Sequence, residues 1–536
     1  MDQTANYLPY ESTGYFTKIV SDYLAQSPLL KPFYQHSPTI EGIADSIKAR
    51  QAFQTPRSLL VDVLNEQYTG IPQTDKLKVN IQSLADSGTF TITTAHQPNI
   101  FTGPLYFIYK IIHAIKLAEE LVAQWPQYKF VPVYYMGSED ADLEELGFVN
   151  VGGQKLVWET KQTGAVGRMK VDKGLQKIIH AIHGQAGVLP FGNSLHELFS
   201  QCYTEGKTIQ QATLELVNAL FGEFGLLVLI PDNAKLKTAF HSVVVKELTE
   251  GFSHKVVAKT IEALGQHYKV QAGGREINLF YLKDDKRERI ERNGDGEGYS
   301  VHGINLHFSK DEMLKELEQY PERFSANVIL RGAFQELVLP NIVFIGGGGE
   351  LAYWLELKNV FAEIGIPYPV LLLRNSFLLM KETQSANLAK LGFTEADLFE
   401  NAFDLLTILV KRESDNQLNL STELAEAKAY YTKIQQITDK VDPSLSEHTM
   451  ALEKKALKKL EALEKKILKA ERLKYQVQQK QIEKIKQDLF PHNSLQERVD
   501  NFSLYYAQYG NDWLQMIYQV SKGLNGGFGI ITVASK

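Results

Sequence analysis

A single cysteine, Cys202, stands in a chain of 536 residues. No intrachain disulfide can form and no cysteine-rich zinc site exists, so a reducing compartment fits. Long apolar runs are missing as well. No stretch approaches the roughly 20 residues that span a bilayer, and the opening MDQTANYLPYESTGYF lacks the basic and apolar regions of a secretory signal. Charge of one sign is not in large excess: 57 Lys and Arg face 63 Asp and Glu, giving a net −6. Nothing global draws the chain to nucleic acid or to a membrane. The expectation is a soluble cytoplasmic protein, too long for one ordinary core, with 44% apolar residues to fill two or three domains.

What is present is an alternation of strand and helix patterns. The first 90 residues read as largely helical. TFTITTA is then a β-branched run suited to a buried strand, LYFIYKIIHAIKLAEELV has apolar residues at helical spacing, and YKFVPVYYM is a second strand-like run. Strand, polar turn, helix, strand is a βαβ unit and predicts a parallel sheet. FGLLVLIPD, INLFYL, NIVFIGGGG and YPVLLLR are further short apolar runs that extend the sheet in this reading. The polar stretch KDDKRERIERNGDGEGYSVHG between them reads as part of an inserted subdomain.

From about 390 to 490 the only glycine and proline are Gly392 and Pro443. Ala456, Leu460, Leu463, Ile467, Ala470 and Val477 follow spacings of four and three, with Lys474 interrupting the seam, which is a coiled-coil pattern. Asp442 and Pro443 mark a turn between two antiparallel helices. Residues 451–486 carry a local +7, which leaves −13 for the remainder. A solvated helical face explains that run, and an anionic partner is the other reading. The boundaries expected are 1–390 for the core with its insertions, 391–490 for the coiled coil, and 491–536 for a tail, ending in GLNGGFGIITV, that packs back on the core.

In an open parallel sheet, ligands bind beyond the carboxyl ends of the strands. Three turns there hold the candidate chemistry. In HQPNIFTGP, His96 and Asn99 lie three residues apart, a spacing suited to steadying charge on phosphate oxygens, and Thr102 and Gly103 let an anion approach the N-terminus of a helix beginning near Pro104. The structural alternative makes Thr102 a helix cap and His96 a hydrogen-bonded turn residue. In GSEDADLEEL, Glu139, Asp140 and Asp142 suit an ammonium, a sugar hydroxyl or Mg²⁺, or else serve as acids at a helix start.

The third turn is GGGGELAYW. Its glycines allow positive φ and close backbone approach around Gly348, Glu350 favours a polar or cationic group, and Tyr353 and Trp354 are candidate pocket walls. Neither the P-loop pattern nor a dinucleotide fingerprint is present. Arg331 and Gln335 follow the apolar, strand-like VIL, and Arg374 ends another strand; arginines so placed bind carboxylate or phosphate bidentately, or form surface ion pairs. Cys202 has no neighbouring motif that would activate it.

TGPLYFIYKIIHAIKLAEE, GSEDADLEE, RFSANVILR, GGGGELAYWLELK and the late LQER resemble, in order and over nearly the full length, the bacillithiol biosynthesis BshC family of cysteine-adding enzymes. The resemblance implies a Rossmann-like core like that of class I aminoacyl-tRNA synthetases, inserted connecting subdomains, and an antiparallel coiled coil through which the family dimerises. It implies addition of L-cysteine to glucosaminyl malate. In that scheme His96, Asn99 and Thr102 serve a phosphate, Glu139, Asp140 and Glu350 position ammonium or hydroxyl groups, and Arg331 or Arg374 holds a carboxylate. Amide formation is uphill in water, so activation by ATP is the simplest expectation, although no residue pattern here shows ATP use and none defines a metal site.

The chain departs from the commonest family pattern at His96, Gln97, Pro98 and Asn99, where Gln-Gln-Ala-Gly is usual, and at Ala141, where a histidine between acids is common. LRGAFQE and GGGGE also replace LRPLYQ-like and GPGE-like forms. The same reaction and a related ligase acting on another amine both remain open on these residues. So do a nucleotidyltransferase on the same core and a non-catalytic coiled-coil adaptor.

Overall fold

Four threonines and an isoleucine in residues 89–94 favour extended backbone, because branching at Cβ fits a pleated surface better than a helical turn. In the computed structural model, which describes residues 3–294, 296–524 and 526–534, they form strand β1 (Thr89–His96). The strands that concern the site follow as β2 (Lys129–Met136), β3 (Leu227–Leu229), β4 (Leu279–Lys283), β5 (Lys286–Arg289), β6 (Phe324–Ala326), β7 (Asn341–Gly346) and β8 (Val370–Leu373).

Five of them make the core sheet in the order β8-β7-β1-β2-β3, and every pairing is parallel. The register of β1 against β2 runs without a break from Thr89 beside Lys129 to His96 beside Met136. Successive strands move one way from β1 to β3, and the chain returns to add β7 and β8 on the other side of β1. That reversal opens a crevice between neighbouring loops at the carboxyl edge. The fold is a Rossmann-like α/β core.

Helix α1 (Tyr106–Gln124) makes the first crossover. Its Ala114, Leu117, Ala118 and Leu121 recur at helical spacing and are buried with Phe90 and Ile92 of β1, Ile342, Val343 and Ile345 of β7, and Val370 and Leu372 of β8. Each large side chain removed from water there contributes about 1.5–3 kcal/mol. The unit that holds this core runs to Leu378 and includes Ser494–Ile531.

Two strand assignments change. INLFYL does not extend the parallel sheet: its β4 pairs antiparallel with β5 and β6 in a separate three-stranded sheet. An apolar run of that length fits either kind of sheet, so its sequence alone does not choose. VILR is helical rather than strand-like. It opens helix α2 (Val328–Val338), because Asn327 Oδ1 accepts the Ile329 N–H at 2.9 Å and starts the turn. Past β7, helix α3 (Gly348–Trp354) begins at the glycine run.

The second unit, Leu379–Asn493 with a few residues from Thr532, contains helices α4 (Ser421–Val441) and α5 (Leu445–Arg472), joined at Asp442 and Pro443. Helix Glu382–Lys390, inside the 1–390 expected for the core, falls in this unit. On α4 the less exposed positions Leu424, Ala427, Tyr431, Ile434 and Thr438 alternate spacings of three and four. Ala456, Leu460 and Ile467 of α5 are half-buried as expected, whereas Leu463, Ala470 and Val477 are exposed and Glu464 and Glu471 take the covered positions. Those glutamates accept hydrogen bonds from the Leu420 N–H and from Ser414, which an apolar residue could not do. A short 3₁₀ turn, Leu473–Tyr475, interrupts the helix at Lys474. Among the described residues no helix is long and apolar enough to cross a membrane. Asp295, in the polar insertion, and Asn525, in the glycine-rich tail, lie outside the described residues.

Candidate active site

At the reversal point of the sheet lies a cleft of about 380 Å³. His96 and Gln97 reach it from the end of β1, Tyr106 and Lys110 from α1, Gly347 to Glu350 from the start of α3 and Tyr353 from its far end, and Arg374 from the end of β8. Arg331 from the first turn of α2, Glu145, Tyr15 to Thr17 and Arg498 complete the wall. Most contributors follow a strand end or lie near the start of a helix, and groups more than 400 residues apart in sequence meet here.

Four cations line this cleft, and three of them are held from behind by a carboxylate. Lys110 is 2% exposed; its Nζ donates to the Ala95 carbonyl at 2.9 Å and pairs with Glu350. Burial lowers the Lys110 pKa and the Glu350 charge opposes that shift. Arg331 Nη1 meets Asp140 Oδ2 at 2.6 Å. Arg374 Nη2 meets Glu497 Oε1 at 2.8 Å, and its Nη1 donates to the Asn375 carbonyl and to Ser376, both at 3.1 Å. These bonds fix each guanidinium in one orientation, as an anion clamp requires. Glu350 also accepts the Gly347 N–H at 2.7 Å, so it serves the helix start as well as Lys110.

His96 faces the cleft with its Nε2 buried and without a hydrogen-bond partner. Burial holds its pKa well below the usual histidine value, and the charges of Lys110, Arg374 and Arg331 push the same way, so the ring is neutral near pH 7. The rest of that turn is not arranged as expected. Asn99 and Thr102 are 5% and 1% exposed and do not line the cleft. Thr102 does not cap a helix either, because its Oγ1 has no partner and α1 begins later, at Tyr106. Two of the N–H groups at that helix start are already taken: the Leu105 N–H donates to the Asp500 carbonyl at 2.8 Å and the Phe107 N–H to the Pro104 carbonyl. Gly103 is needed for its φ of +65°, and its carbonyl accepts from Asn501 Nδ2 at 2.6 Å.

The acidic turn separates into three roles. Glu139 pairs with Lys237 and accepts from Ser325, outside the cleft; burial raises its pKa, Lys237 lowers it and Asp232 raises it further, for a net rise. Asp140 lies behind Arg331, with Arg287 at 3.7 Å on its other side. Burial pushes this carboxyl up, but the two guanidiniums more than offset it and the pKa is lowered. Asp142 is exposed and caps the short helix Leu143–Leu146 through the Glu145 N–H at 3.2 Å. Gln335 is buried away from the cleft, where its Nε2 donates to Glu336 within the Arg50–Glu336–Asn341 network.

The glycine turn is used for access, since none of Gly346, Gly347, Gly348 and Gly349 has a left-handed φ. A Cβ on Gly348 would meet Val20 at 3.1 Å. Tyr353 lines the cleft, whereas Trp354 is 1% exposed and stacks on Phe344 in the core. Cys202 is buried, with its thiol pushed up to about 12 by burial. No group of three or more His, Cys, Asp and Glu among the described residues is set to hold a metal ion.

Sequence reasoning missed Lys110, Tyr106, Glu145, Glu497 and Arg498. Lys110 carried a signal: it is the one charge in the run LYFIYKIIHAI, which otherwise reads as buried. A lysine enclosed like that needs a partner. Glu497 and Arg498 lie in the LQER of the late segment, where no strand or turn pattern pointed to a site.

Residues 3–375 match the family model described as "Bacillithiol biosynthesis BshC, N-terminal Rossmann-like domain", and residues 377–533 match "Bacillithiol biosynthesis BshC, C-terminal coiled-coil domain". The chain is similar to the protein named "Putative cysteine ligase BshC" of Flavobacterium johnsoniae, with 41% identity over 528 residues, 98% of this chain and 99% of that one. Its namesake in Flavobacterium psychrophilum is 40% identical over 98% of each chain, and that of Bacillus cytotoxicus 27% identical over 95% of this chain and 96% of its own. A solved structure titled as a putative arginyl-tRNA synthetase from Campylobacter jejuni, 12% identical, covers 84% of this chain and 100% of its own with a TM-score of 0.22, too loose a superposition to bear on the fold.

Proposed function

The chain belongs to the bacillithiol biosynthesis BshC family, a family of carbon–nitrogen ligases, and we propose that it joins the carboxyl group of L-cysteine to the free amine of glucosaminyl malate. The observation that carries this reading is the cleft at the sheet reversal, where fixed cations surround a neutral, unpartnered imidazole. Arg331 and Arg374, locked by Asp140 and Glu497, offer their remaining N–H groups to carboxylates. His96 meets the ligand as an uncharged ring, able to exchange a hydrogen bond without adding a charge. Glu350 and Lys110 hold the glycine turn against α1 and so keep the cleft open.

ATP supplies carboxyl activation when bound, and the orphaned His96 Nε2 together with Lys110, Arg331 and Arg374 suits its phosphates. In this reading the protein works in the cytoplasm as a homodimer joined through the coiled coil. Exposed Leu463 and Val477 are the apolar residues a second copy would cover; sedimentation that finds only monomer at micromolar concentration removes the dimer.

The test is incubation of the purified protein with L-cysteine, glucosaminyl malate and ATP, with mass spectrometry for the amide. Product formation that is lost in His96→Ala, with circular dichroism unchanged, is the expected result. The departure at His96 to Asn99 favours one other reading, the same ligation on a different amine. No product from glucosaminyl malate, with product from another amino sugar, would establish that reading instead.

A further inference from the structure

Four of the six charged residues that line the cleft are held in the three pairs Lys110–Glu350, Arg331–Asp140 and Arg374–Glu497. Two lining residues stand outside these pairs. Arg498 donates from Nη2 to the Tyr15 carbonyl at 3.2 Å and lies with its guanidinium 5.9 Å from the Phe16 ring; among the described residues no carboxylate forms an ion pair with it. Glu145 likewise has no cation paired with it among the described residues, although it lines the same cleft. Its backbone is fixed, since its N–H donates to Asp142 and its carbonyl accepts from Asn99 at 3.4 Å, while the carboxylate is left to turn toward a ligand.

We propose that Glu145 and Arg498 are the pair that reads the ligand, Glu145 taking the ammonium end and Arg498 the carboxylate end of an amino-bearing anion. This rests on the reading of the cleft as the substrate site and adds the specificity that the three closed pairs cannot provide. A cation already neutralised by a buried carboxylate presents geometry and little net charge, whereas an unmatched cation and an unmatched anion in one cleft favour a ligand that carries both signs. The surroundings agree. Burial and the neighbouring Arg374 lower the Arg498 pKa, while burial and the nearby Asp142 and Asp140 raise that of Glu145, so an opposite charge from the ligand relieves both.

The experiment is calorimetric titration of the full-length protein and of Arg498→Gln, Arg498→Lys and Glu145→Gln with two separate probes, L-malate and D-glucosamine. Arg498→Gln weakens malate binding about tenfold and leaves glucosamine unchanged, Arg498→Lys restores much of the malate affinity, and Glu145→Gln does the reverse of Arg498→Gln. Equal loss for both probes, loss for neither, or a wild-type protein that binds neither probe overturns the proposal. Thermal melts of each variant show whether it is folded, and Arg498→Lys keeps the arginine arm testable if the glutamine variant is not. These titrations need no turnover: absence of amide product in the ligation assay removes the functional reading, and the crossed binding pattern would still stand.

Discussion

The turn after β1 and the turn after β7 sit beside each other at the same edge of the sheet, yet they are built on opposite principles. The first, residues 96–103, is dense in polar groups and, past His96 and Gln97, closed. Phe101, Thr102 and Gly103 all have positive φ, and His96 Nε2, Asn99 Oδ1 and Thr102 Oγ1 are buried without partners. The second, residues 346–349, has no side chains at all, keeps ordinary φ values and opens to the cleft. One C-terminal segment serves both: Asn501 binds the carbonyls of Phe101 and Gly103, and Glu497 binds Arg374 beside the glycine turn. Polar residues crowded in a bend therefore mark a backbone that needs anchoring, and glycines mark where a ligand can come close.

The contrast breaks most visibly if the shared segment lets go. Glu497 is fully buried, accepts from Arg374 and also from the Phe377 N–H at 3.2 Å. Glu497→Ala leaves a buried guanidinium unpaired, for a loss of about 3–5 kcal/mol. Denaturant unfolding followed by fluorescence measures it. A loss below about 1 kcal/mol, within the range of a surface pair, would show that this segment is not what holds the second turn.

Beside Arg374, at Asn375, His113 sharpens the comparison through pH. Its Nδ1 accepts the Asn375 N–H at 3.2 Å and its Nε2 donates to the Gly523 carbonyl at 2.8 Å, which fixes a neutral ring. Burial pulls its pKa down to about 4. Between that value and the ordinary 6.5 the unfolded chain binds the extra proton, so this histidine makes stability rise with pH across the window and fall as the solution is acidified through it. The span amounts to about 3 kcal/mol. His113→Gln, which can still donate to Gly523, flattens the slope between pH 4 and 6.5. An unchanged slope would move the effect to His96, whose depressed pKa acts in the same direction.

The sheet was legible because its strands carry a signal that outlasts context: TFTITTA, YKFVPVYYM, NIVFIG and PVLLL are apolar or β-branched runs between helical patterns. INLFYL carries the same signal, and what sends it to an antiparallel sheet is its pairing with β5 and β6, a long-range fact. The three turns were legible as strand ends, and His96, Arg331, Gly348, Glu350, Tyr353 and Arg374 do meet in one cleft. Asn99, Thr102, Glu139 and Gln335 read the same way and face elsewhere, because residue type does not reveal which way a side chain leaves its turn. The closed pairs were hidden for a related reason: Arg374 and Glu497 are 123 residues apart, and only the fold makes them neighbours.

Glycine substitutions test the two turns directly. At Gly103, with φ +65° and ψ −140°, a Cβ would stand 2.8 Å from the Asn99 Cβ. Gly103→Ala combines a backbone region essentially reserved for glycine with a clash, and about 2–3 kcal/mol of stability is lost. Thermal unfolding reads this; a loss under about 0.5 kcal/mol, within the range of neutral surface changes, would mean that the closed turn can relax.

Gly349 is the counterpart and the smallest expected effect. A Cβ there meets nothing within 4 Å, and its φ is ordinary. It sits in the first turn of α3, where alanine is favoured over glycine by up to about 1 kcal/mol. Gly349→Ala therefore leaves the melting temperature unchanged or slightly raised. If its glycine serves access, the added methyl shows instead as weaker ligand binding at unchanged stability, the reverse of Gly103→Ala. A variant that loses stability without losing affinity would mean that the second turn, too, is held by its backbone and that the two bends differ less than their side chains suggest.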